Sequence, residues 1–328
     1  MILDRPVLDQ IDCLARRLDE RKLDNILSFL TDNLVQEVRT FAPIQDADNA
    51  DRKEIVTANY HIGWDFARKN YDGQFNLVLL SEVAGRVNPE LCSRKNNYAD
   101  WRTSGATLTG LRHRPPADEA RIMNQLNRLC TVINEQQLHP VEEALLLNFH
   151  LTRIQPFANG NKRTASIMTN AGLIYHKLAP IYVTPQEHFT YTSLLNAALN
   201  GYEEASSSVS DPLEAFYNPD YQQKGFYEFL GNKIVQNLVW AEDKLRQYPV
   251  YEIDLTARQP GVYFRVKKEL DGFFRHAGVP HQVRLNRNGR NYVQVVGDIS
   301  CKELDNILSR NKGLQKYTID CKRMPPDK

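Results

Sequence analysis

Apolar residues recur every three or four positions through most of the chain up to about residue 250, and this spacing predicts a mainly helical protein. The segment that ends at Ile154 is apolar nearly all round, which indicates a helix buried in a core. A second helix is predicted to start close to Asn161. The remaining helical segments are predicted at residues 5–40, 52–70, 75–87, 117–134, 186–208, 212–216 and 226–246.

The last part of the chain has a different pattern. Short runs of β-favouring residues alternate with helical spacing in the order β-α-β-β-α-β, which is the split βαβ arrangement. Strands are predicted at residues 251–257, 282–285, 292–296 and 315–321, and helices at residues 261–276 and 300–311. The sequence therefore predicts a mainly α protein with a small C-terminal α+β domain of the ferredoxin-like type.

The loop between the two central helices carries the most informative residues, Arg-Ile-Gln-Pro-Phe-Ala-Asn-Gly-Asn-Lys-Arg-Thr-Ala at 153–165. Pro156 ends the first helix, and Gly160 permits unusual backbone dihedrals just before the second. The free N–H groups and the dipole of a helix N-terminus favour an anion. Lys162 and Arg163 add positive charge there. The loop therefore suggests an anion site, although ordinary helical hairpins also use Asn-Gly and basic residues.

This segment resembles the signature loop of the Fic/Doc family, and its Asn-Lys-Arg-Thr-Ala ending resembles the Doc branch. The resemblance implies a helical core with a β-hairpin flap. It also implies a loop whose histidine takes a proton from a target hydroxyl, whose acidic residue holds Mg²⁺, and whose glycine turn binds nucleotide phosphates. Fic proteins transfer AMP from ATP to protein hydroxyls, whereas Doc transfers the terminal phosphate.

Two positions depart from the family pattern. Gln155 stands where the family has its histidine, and a neutral carboxamide has no basic site near pH 7. Asn159 stands where the family has its acidic metal ligand, so we expect any Mg²⁺ site there to be weak. The expected protein is an impaired or inactive relative of these enzymes, a candidate pseudoenzyme.

The phosphate side of the loop matches the family better. The expected nucleotide-binding residues are Phe157, Gly160, Asn161, Lys162 and Arg163. The resemblance implies ATP or another nucleoside triphosphate with Mg²⁺ as the ligand. Nucleotide binding is therefore a firmer expectation than catalysis.

The resemblance implies two further elements. Residues 101–110, which begin with Trp101 and end with Gly110, correspond to the flap that registers a target polypeptide by strand addition. An ordinary hairpin that plugs the core fits the same residues. Glu37 loosely resembles the glutamate of the family's inhibitory helix, which pairs with an arginine of the motif. Ser166 stands at the position of that arginine here, so a solvated glutamate on a helix is the favoured interpretation.

The predicted domain division is an N-terminal helical region at 1–95, the Fic/Doc core at 96–220, a linking helix at 221–250 and the small domain at 251–328. From residue 251 onward there are 15 Lys and Arg residues against 9 Asp and Glu, whereas the first 250 residues hold 26 against 31. The small domain is therefore basic. Nucleic-acid binding through Arg284, Arg287 and Arg290 is one interpretation, and a solvated hairpin is the other.

Composition excludes several classes of protein. Apolar residues make up 42% and charged residues 25%, as in a soluble globular protein, and no run of apolar residues is long enough to cross a membrane. The N-terminus lacks the pattern of a signal peptide, so a bacterial-type cytoplasm is expected. Five scattered cysteines predict neither a disulfide framework nor a zinc site. Besides the nucleotide-binding hypothesis, a non-catalytic interaction scaffold and a nucleic-acid-binding regulator remain as alternatives.

Overall fold

The structure is a computed structural model of the 328-residue chain. The residues that it describes are 2–20, 50–93, 96–106, 113–135, 137–206, 214–247, 250–254, 265–266, 268–270, 272, 281–286, 292–297, 299–310 and 320–324. The chain forms two compact units, one of residues 1–13 and 34–238 and the other of residues 14–33 and 239–328.

The helices follow the predicted spacing closely. From the N-terminus they are α1 (Arg5–Glu20), α2 (Ala50–Asn70), α3 (Leu77–Val87), α4 (Glu119–Glu135), α5 (Pro140–Ile154), α6 (Asn161–Tyr175), α7 (His188–Ser206), α8 (Glu214–Tyr217) and α9 (Tyr221–Gln247). Short 3₁₀ turns form at Pro89–Leu91 and Pro185–Glu187. The mainly helical character that the periodicity predicted is confirmed.

The core of the larger unit forms around α5, because apolar residues occur all round this helix and nearly all of its residues are buried. Its residues from Ala144 to Ile154 are almost all buried, and Leu145, Phe149 and Ile154 have no exposed surface. Burying one such side chain contributes about 1.5–3 kcal/mol. The prediction of a core helix is confirmed at this position.

The start of α5 is fixed by its own side chains. Nδ1 of His139 accepts a hydrogen bond from Val141 N at 3.2 Å, and Oε2 of Glu142 accepts one from His139 N at 3.4 Å. The other carboxylate oxygen of Glu142 accepts the Ile2 N–H at 2.6 Å, so the chain's first residues also contact this helix. These bonds satisfy N–H groups that would otherwise be buried without a partner.

The described part of the second unit contains a four-stranded antiparallel sheet and a helix. The strands β1 (Val250–Asp254), β2 (His281–Asn286), β3 (Tyr292–Gly297) and β4 (Asp320–Met324) are arranged in the order β2-β3-β1-β4, and α10 spans Cys301–Arg310. That strand order is the one expected of a split βαβ unit. The assignment to the ferredoxin-like type stays a prediction, because most of residues 261–276 lie outside the described chain.

The register of this sheet places β1 at its centre. Tyr251 pairs with Val295 of β3 on one side and with Arg323 of β4 on the other. The Tyr251 hydroxyl donates to the carbonyl oxygen of Ile299 at 2.7 Å. β4 ends at Met324, three residues beyond the predicted end, so that boundary of the prediction was wrong. Strand ends are hard to place from short runs of residues, because pairing decides them.

Several predicted features lie outside the described residues. These include Glu37 of the suggested inhibitory element, Arg287 and Arg290 of the C-terminal hairpin, and flap residues 107–110. Within residues 96–106 no strand forms, so the flap stays a prediction. Among the helices that the structure describes, none is long and apolar enough to cross a membrane.

Candidate functional site

The loop between α5 and α6 begins and ends with a residue in the left-handed conformation. Gln155 has φ 49° and ψ 61°, and its N–H donates to the carbonyl oxygen of Leu151 at 3.1 Å, so it terminates α5. Pro156 follows, and it has no N–H with which to continue the helix. At the other end Gly160 has φ 76°, where a residue with a Cβ would be strained. The left-handed residues Gln155 and Gly160 therefore allow the chain to turn sharply at both ends of this short loop.

The side chain of Asn161 holds the loop closed. Its Oδ1 accepts the Phe157 N–H at 2.9 Å, and its Nδ2 donates to the Phe157 carbonyl oxygen at 2.8 Å. Nδ2 also lies 3.0 Å from Oε1 of Gln155. The sequence marked Asn161 as a phosphate-binding residue, but its side chain is used within the protein. Only its backbone N–H, in the first turn of α6, is placed to meet a ligand.

Gln155 is engaged at both ends of its amide. Nε2 donates to the carbonyl oxygen of Thr152 at 2.6 Å, while Oε1 accepts from Asn161. The residue is 9% exposed. In this conformation the side chain offers a target hydroxyl no base, and one N–H and one oxygen lone pair of its amide are already used within the protein.

Arg102 supports the loop from a segment distant in sequence. Its Nε donates to the Gln155 carbonyl oxygen at 2.7 Å and its Nη2 to that of Ile154 at 3.2 Å. Nη1 makes a short bond to the Ser104 carbonyl oxygen, and the Arg102 backbone N–H donates to Pro156 O at 3.0 Å. A cation at a helix C-terminus satisfies carbonyls that lack a partner in the helix and opposes the negative end of its dipole.

Burial lowers the pKa of Arg102 from its ordinary value. An arginine remains charged under such conditions. This residue was not predictable from the sequence, because nothing in the chain relates it to a loop that follows it by 53 residues.

Phe157 anchors the loop in the core. Its ring has no exposed surface and stacks on that of Trp101, with centroids 5.0 Å apart and planes inclined by 19°. Trp101 and Arg102 are therefore adjacent residues that both contact the loop. The first two residues of the segment predicted to be the flap therefore pack directly on the candidate site.

The α6 end of the loop carries the positive charge. Gly160 is the N-cap residue, and no side chain caps the helix. Arg163 is buried, and its Nη2 lies 3.8 Å from the position that a Cβ would take on Gly160. Lys162 is exposed one residue earlier. This end therefore combines first-turn N–H groups, the positive end of a helix dipole and two cations, which together suit a phosphate group.

The residues of the loop do not fit a divalent cation by themselves. Asn159 Oδ1 already accepts the Gly160 N–H at 2.6 Å, and the loop contains no carboxylate. Within the described chain, no three His, Cys, Asp or Glu residues are grouped so that they could hold a metal ion. Mg²⁺ favours carboxylate and phosphate oxygens, so here it would depend on the phosphates of a nucleotide.

A buried polar layer lies beneath the loop and was also missed. Arg153 donates through Nε to Nδ1 of His150 at 3.2 Å and through Nη2, in a short bond, to Oε1 of Gln125. Its guanidinium carbon lies 4.2 Å from the centroid of the Tyr202 ring. His113 contacts the Arg153 carbonyl oxygen at 2.9 Å. The pKa of His113 is lowered overall, because burial outweighs the opposing effect of Glu203 at 2.6 Å.

His150 is not a replacement base. Its Nε2 lies 3.2 Å from the Phe216 carbonyl oxygen, and its Nδ1 accepts from Arg153, so its ring points away from Gln155. Burial lowers the pKa of His150 well below its ordinary value, and the charge of Arg153 lowers it further. It is therefore a neutral structural residue at pH 7.

Comparison with known proteins gives this geometry a context. Residues 80–173 match the Fic/DOC family, and this range includes α5, the loop and most of α6. The protein adenylyltransferase Fic of Nematostella vectensis is 36% identical over 91 residues, which are 27% of this chain and 21% of that protein. Its counterpart from Drosophila ananassae is 27% identical over 157 residues, covering 46% of this chain and 31% of the other.

A solved structure also shares the fold. The Fic-domain-containing signaling protein of Bacteroides thetaiotaomicron is 16% identical, with a TM-score of 0.50 over 72% of this chain and 96% of that one. The chain spans only about a fifth to a third of the length of the curated relatives named above.

Proposed function

Because residues 80–173 form a Fic/DOC family domain, we propose that the loop between α5 and α6 binds the phosphates of a nucleoside triphosphate, with ATP as the first candidate. The observation that carries the proposal is the α6 N-terminus, where an uncapped helix, Gly160 and the buried guanidinium of Arg163 meet. The related reaction is transfer of AMP from ATP to a hydroxyl of a target protein. The curated relatives named above are protein adenylyltransferases, which supports this choice over other nucleotide chemistry.

The placement of Arg163 is what distinguishes this loop from an ordinary helical hairpin. A solvated basic residue would extend into water, whereas Arg163 is only 5% exposed and lies against Gly160. A phosphate at the helix N-terminus would meet both the backbone N–H groups and this guanidinium. A charge-assisted hydrogen bond of that type contributes about 1.5–3 kcal/mol.

The proposed reaction lacks a residue at position 155 that could accept the proton of the target hydroxyl. The oxygen of the target hydroxyl attacks the α-phosphorus, the bond from phosphorus to the bridging oxygen breaks, and pyrophosphate leaves. The hydroxyl proton has to pass to water or to the leaving group, since Gln155 cannot take it. Loss of a general base costs about 10²–10⁴ in rate. We therefore propose a nucleotide-binding protein whose transfer reaction is slow or lost.

Target binding belongs to the same proposal. Residues 101–110 would register a polypeptide by strand addition, as the resemblance implies. Trp101 packs on Phe157 and Arg102 bonds to Pro156, so this segment lies next to the loop. Transfer of the γ-phosphate, suggested by the Doc-like ending, would use the same loop with a different phosphorus at the hydroxyl.

The proposal is tested by calorimetric titration of ATP, GTP and CDP, each with and without Mg²⁺. We expect ATP binding that Arg163→Ala weakens about 10- to 100-fold, because a charge-assisted bond is lost. Arg121→Ala is the matched control, since Arg121 is 72% exposed on α4 and its loss should leave the affinity unchanged. Absence of any nucleotide binding, or equal affinity of a folded Arg163→Ala variant, would refute the proposal.

A scaffold without a nucleotide requirement is the second candidate. The observation that favours it is the closed amide of Gln155, whose two ends are bonded within the protein. A scaffold would hold its partner equally well with Arg163 or with alanine at that position. Pull-down of bound partners by the two proteins therefore separates the candidates.

A further inference from the structure

A cavity of about 710 Å³ is lined by Trp101, the residue whose ring also stacks on Phe157 of the loop. It is lined by the first turns of α3 and α4 and by the segment that contains Trp101. The residues that matter for its chemistry are Val78, Tyr98, Asp100, Trp101, Glu119 and Met123. Protein sites for small molecules or short peptide segments commonly enclose about 300–1,000 Å³, so the cavity is large enough to receive one.

The lining combines aromatic and apolar surface with negative charge. Tyr98 is 39% exposed and Val78 is 60% exposed, so apolar surface faces solvent here. Asp100 and Glu119 supply two carboxylates, and the described lining contains no Lys or Arg. Asp100 is held in place by the Ser93 N–H, which donates to its Oδ2 at 2.8 Å.

This chemistry is complementary to a basic side chain with an aliphatic stem. The stem of an arginine or lysine packs on apolar surface, and its charged group interacts with both carboxylates and aromatic faces. A cavity of this volume would also accommodate the neighbouring residues of an extended chain. An acidic segment or a phosphate would meet two like charges and would be repelled.

We propose that this cavity binds an arginine or lysine side chain of the target polypeptide and so selects targets with a basic residue near the modified hydroxyl. The stack of Trp101 on Phe157 makes the two sites neighbours, because one ring faces the cavity and the other lies in the loop. The assignment of the ligand to a target protein rests on the proposed function. The basic specificity of the cavity rests on its own lining.

The test uses the full chain without nucleotide and a fluorescent Gly-Ser peptide that carries a central Arg-Tyr-Arg. Its matched probe has Gln-Tyr-Gln at the same positions. We expect the arginine peptide to bind about tenfold more tightly at low salt, since it gains both cation–π and ion-pair contacts. The preference should disappear in the double variant Asp100→Asn, Glu119→Gln.

Glu135→Gln is the matched control, because Glu135 is an exposed glutamate at the far end of the same helix, α4, and does not line the cavity. Val78→Arg serves as a second variant. Its position is 60% exposed, so the substitution leaves the core intact and places a cation in the cavity, and it should abolish the preference.

Equal or absent binding of the two peptides by the natural protein would overturn the proposal, as would an arginine preference that survives in the double variant. An arginine preference in a protein that binds no nucleotide would uphold the cavity while refuting the proposed function. Nucleotide binding without a peptide preference would refute the proposal for the cavity and uphold the proposed function.

Discussion

The two ends of the loop between α5 and α6 differ in how their polar groups are used. At the α5 end, Arg102 satisfies the carbonyls of Ile154 and Gln155, and the Gln155 amide is bonded at both ends. At the α6 end, no side chain caps the helix, and Arg163 lies against Gly160. The end that would handle a proton is closed within the protein, whereas the end that would bind phosphate is arranged for a ligand. We therefore predict that nucleotide binding and catalysis are separable here.

The largest expected effect comes from restoring a base at the closed end. We expect Gln155→His to raise label transfer from ATP into proteins of a cell lysate by about 10²–10⁴, the usual contribution of a positioned general base. ATP labelled at the α or the γ phosphate distinguishes AMP transfer from phosphate transfer. Gln155→Met, similar in size and without a proton acceptor, should give no increase. Equal transfer by the natural protein and the histidine variant would show that the glutamine site needs no added base.

The second-largest expected effect is a loss of stability when Arg102 no longer supports the α5 end of the loop. Arg102→Ala should lower the free energy of unfolding by about 3 kcal/mol, because it leaves buried carbonyls without donors. Arg102→Lys keeps the charge but not the planar fork, so its loss should be intermediate. Chemical denaturation measures both. The control is Arg5→Ala, whose side chain is 73% exposed, with an expected change below about 0.5 kcal/mol. A loss for Arg102→Ala as small as the control's would remove its role as a cap.

A smaller effect depends on pH. His150 is neutral in the folded protein, because burial lowers its pKa, whereas in the unfolded chain it titrates near 6.5. As the pH falls through 6.5, the unfolded state gains a proton that the folded state does not bind. Stability is therefore lost, by about 1.4 kcal/mol from this group between about pH 7.5 and 5.5.

The variant His150→Gln isolates this contribution, since a glutamine can accept from Arg153 and donate to the Phe216 carbonyl without titrating. Thermal or chemical unfolding at both pH values should show a pH dependence that is weaker in the variant by about the same amount. An unchanged pH dependence would mean that His150 is protonated in the folded state.

The smallest expected effect is a loss of stability when Gly160, at the α6 end of the loop, is replaced. Gly160→Ala should cost about 1 kcal/mol, because φ is 76° and an alanine is strained there. The nearest atom to the added Cβ would be Val87 Cγ1 at 3.5 Å, an ordinary contact, so strain alone should account for the loss. Gly105→Ala is the control, since its Cβ would meet nothing within 4 Å. A loss several times larger in unfolding measurements would indicate a steric clash instead.

The helices around the site were predictable because each depends on local spacing. Apolar residues all round α5 required burial, and Pro156 and Gly160 marked the loop. The loop could also be recognised as a motif from the sequence, since its residues are adjacent in the chain, and their roles stay predictions. The strands of the C-terminal sheet were located less well at β4, where pairing with β1 decides the end.

The roles of individual side chains were harder to predict. Asn161 was expected to bind a nucleotide, which stays a prediction, and the sequence did not indicate that its amide joins Phe157 to Gln155. Arg102 and His113 carried no signal, because their partners lie 53 and 40 residues further along the chain. A hydrogen bond between distant segments leaves no periodic trace in a sequence.

By itself, the sequence determined the helical core, the position of the loop and the absence of a base at residue 155, because these depend on residue type and local order. Only the tertiary structure decided that Gln155 is held by Asn161 and Thr152 and that Arg102 caps α5. It also decided that Trp101 both stacks on Phe157 and lines a cavity with Asp100 and Glu119. The physical reason is that burial and hydrogen-bond partners are set by which segments meet in space. The sequence gives the chemical type of each residue, whereas the fold decides which groups surround it.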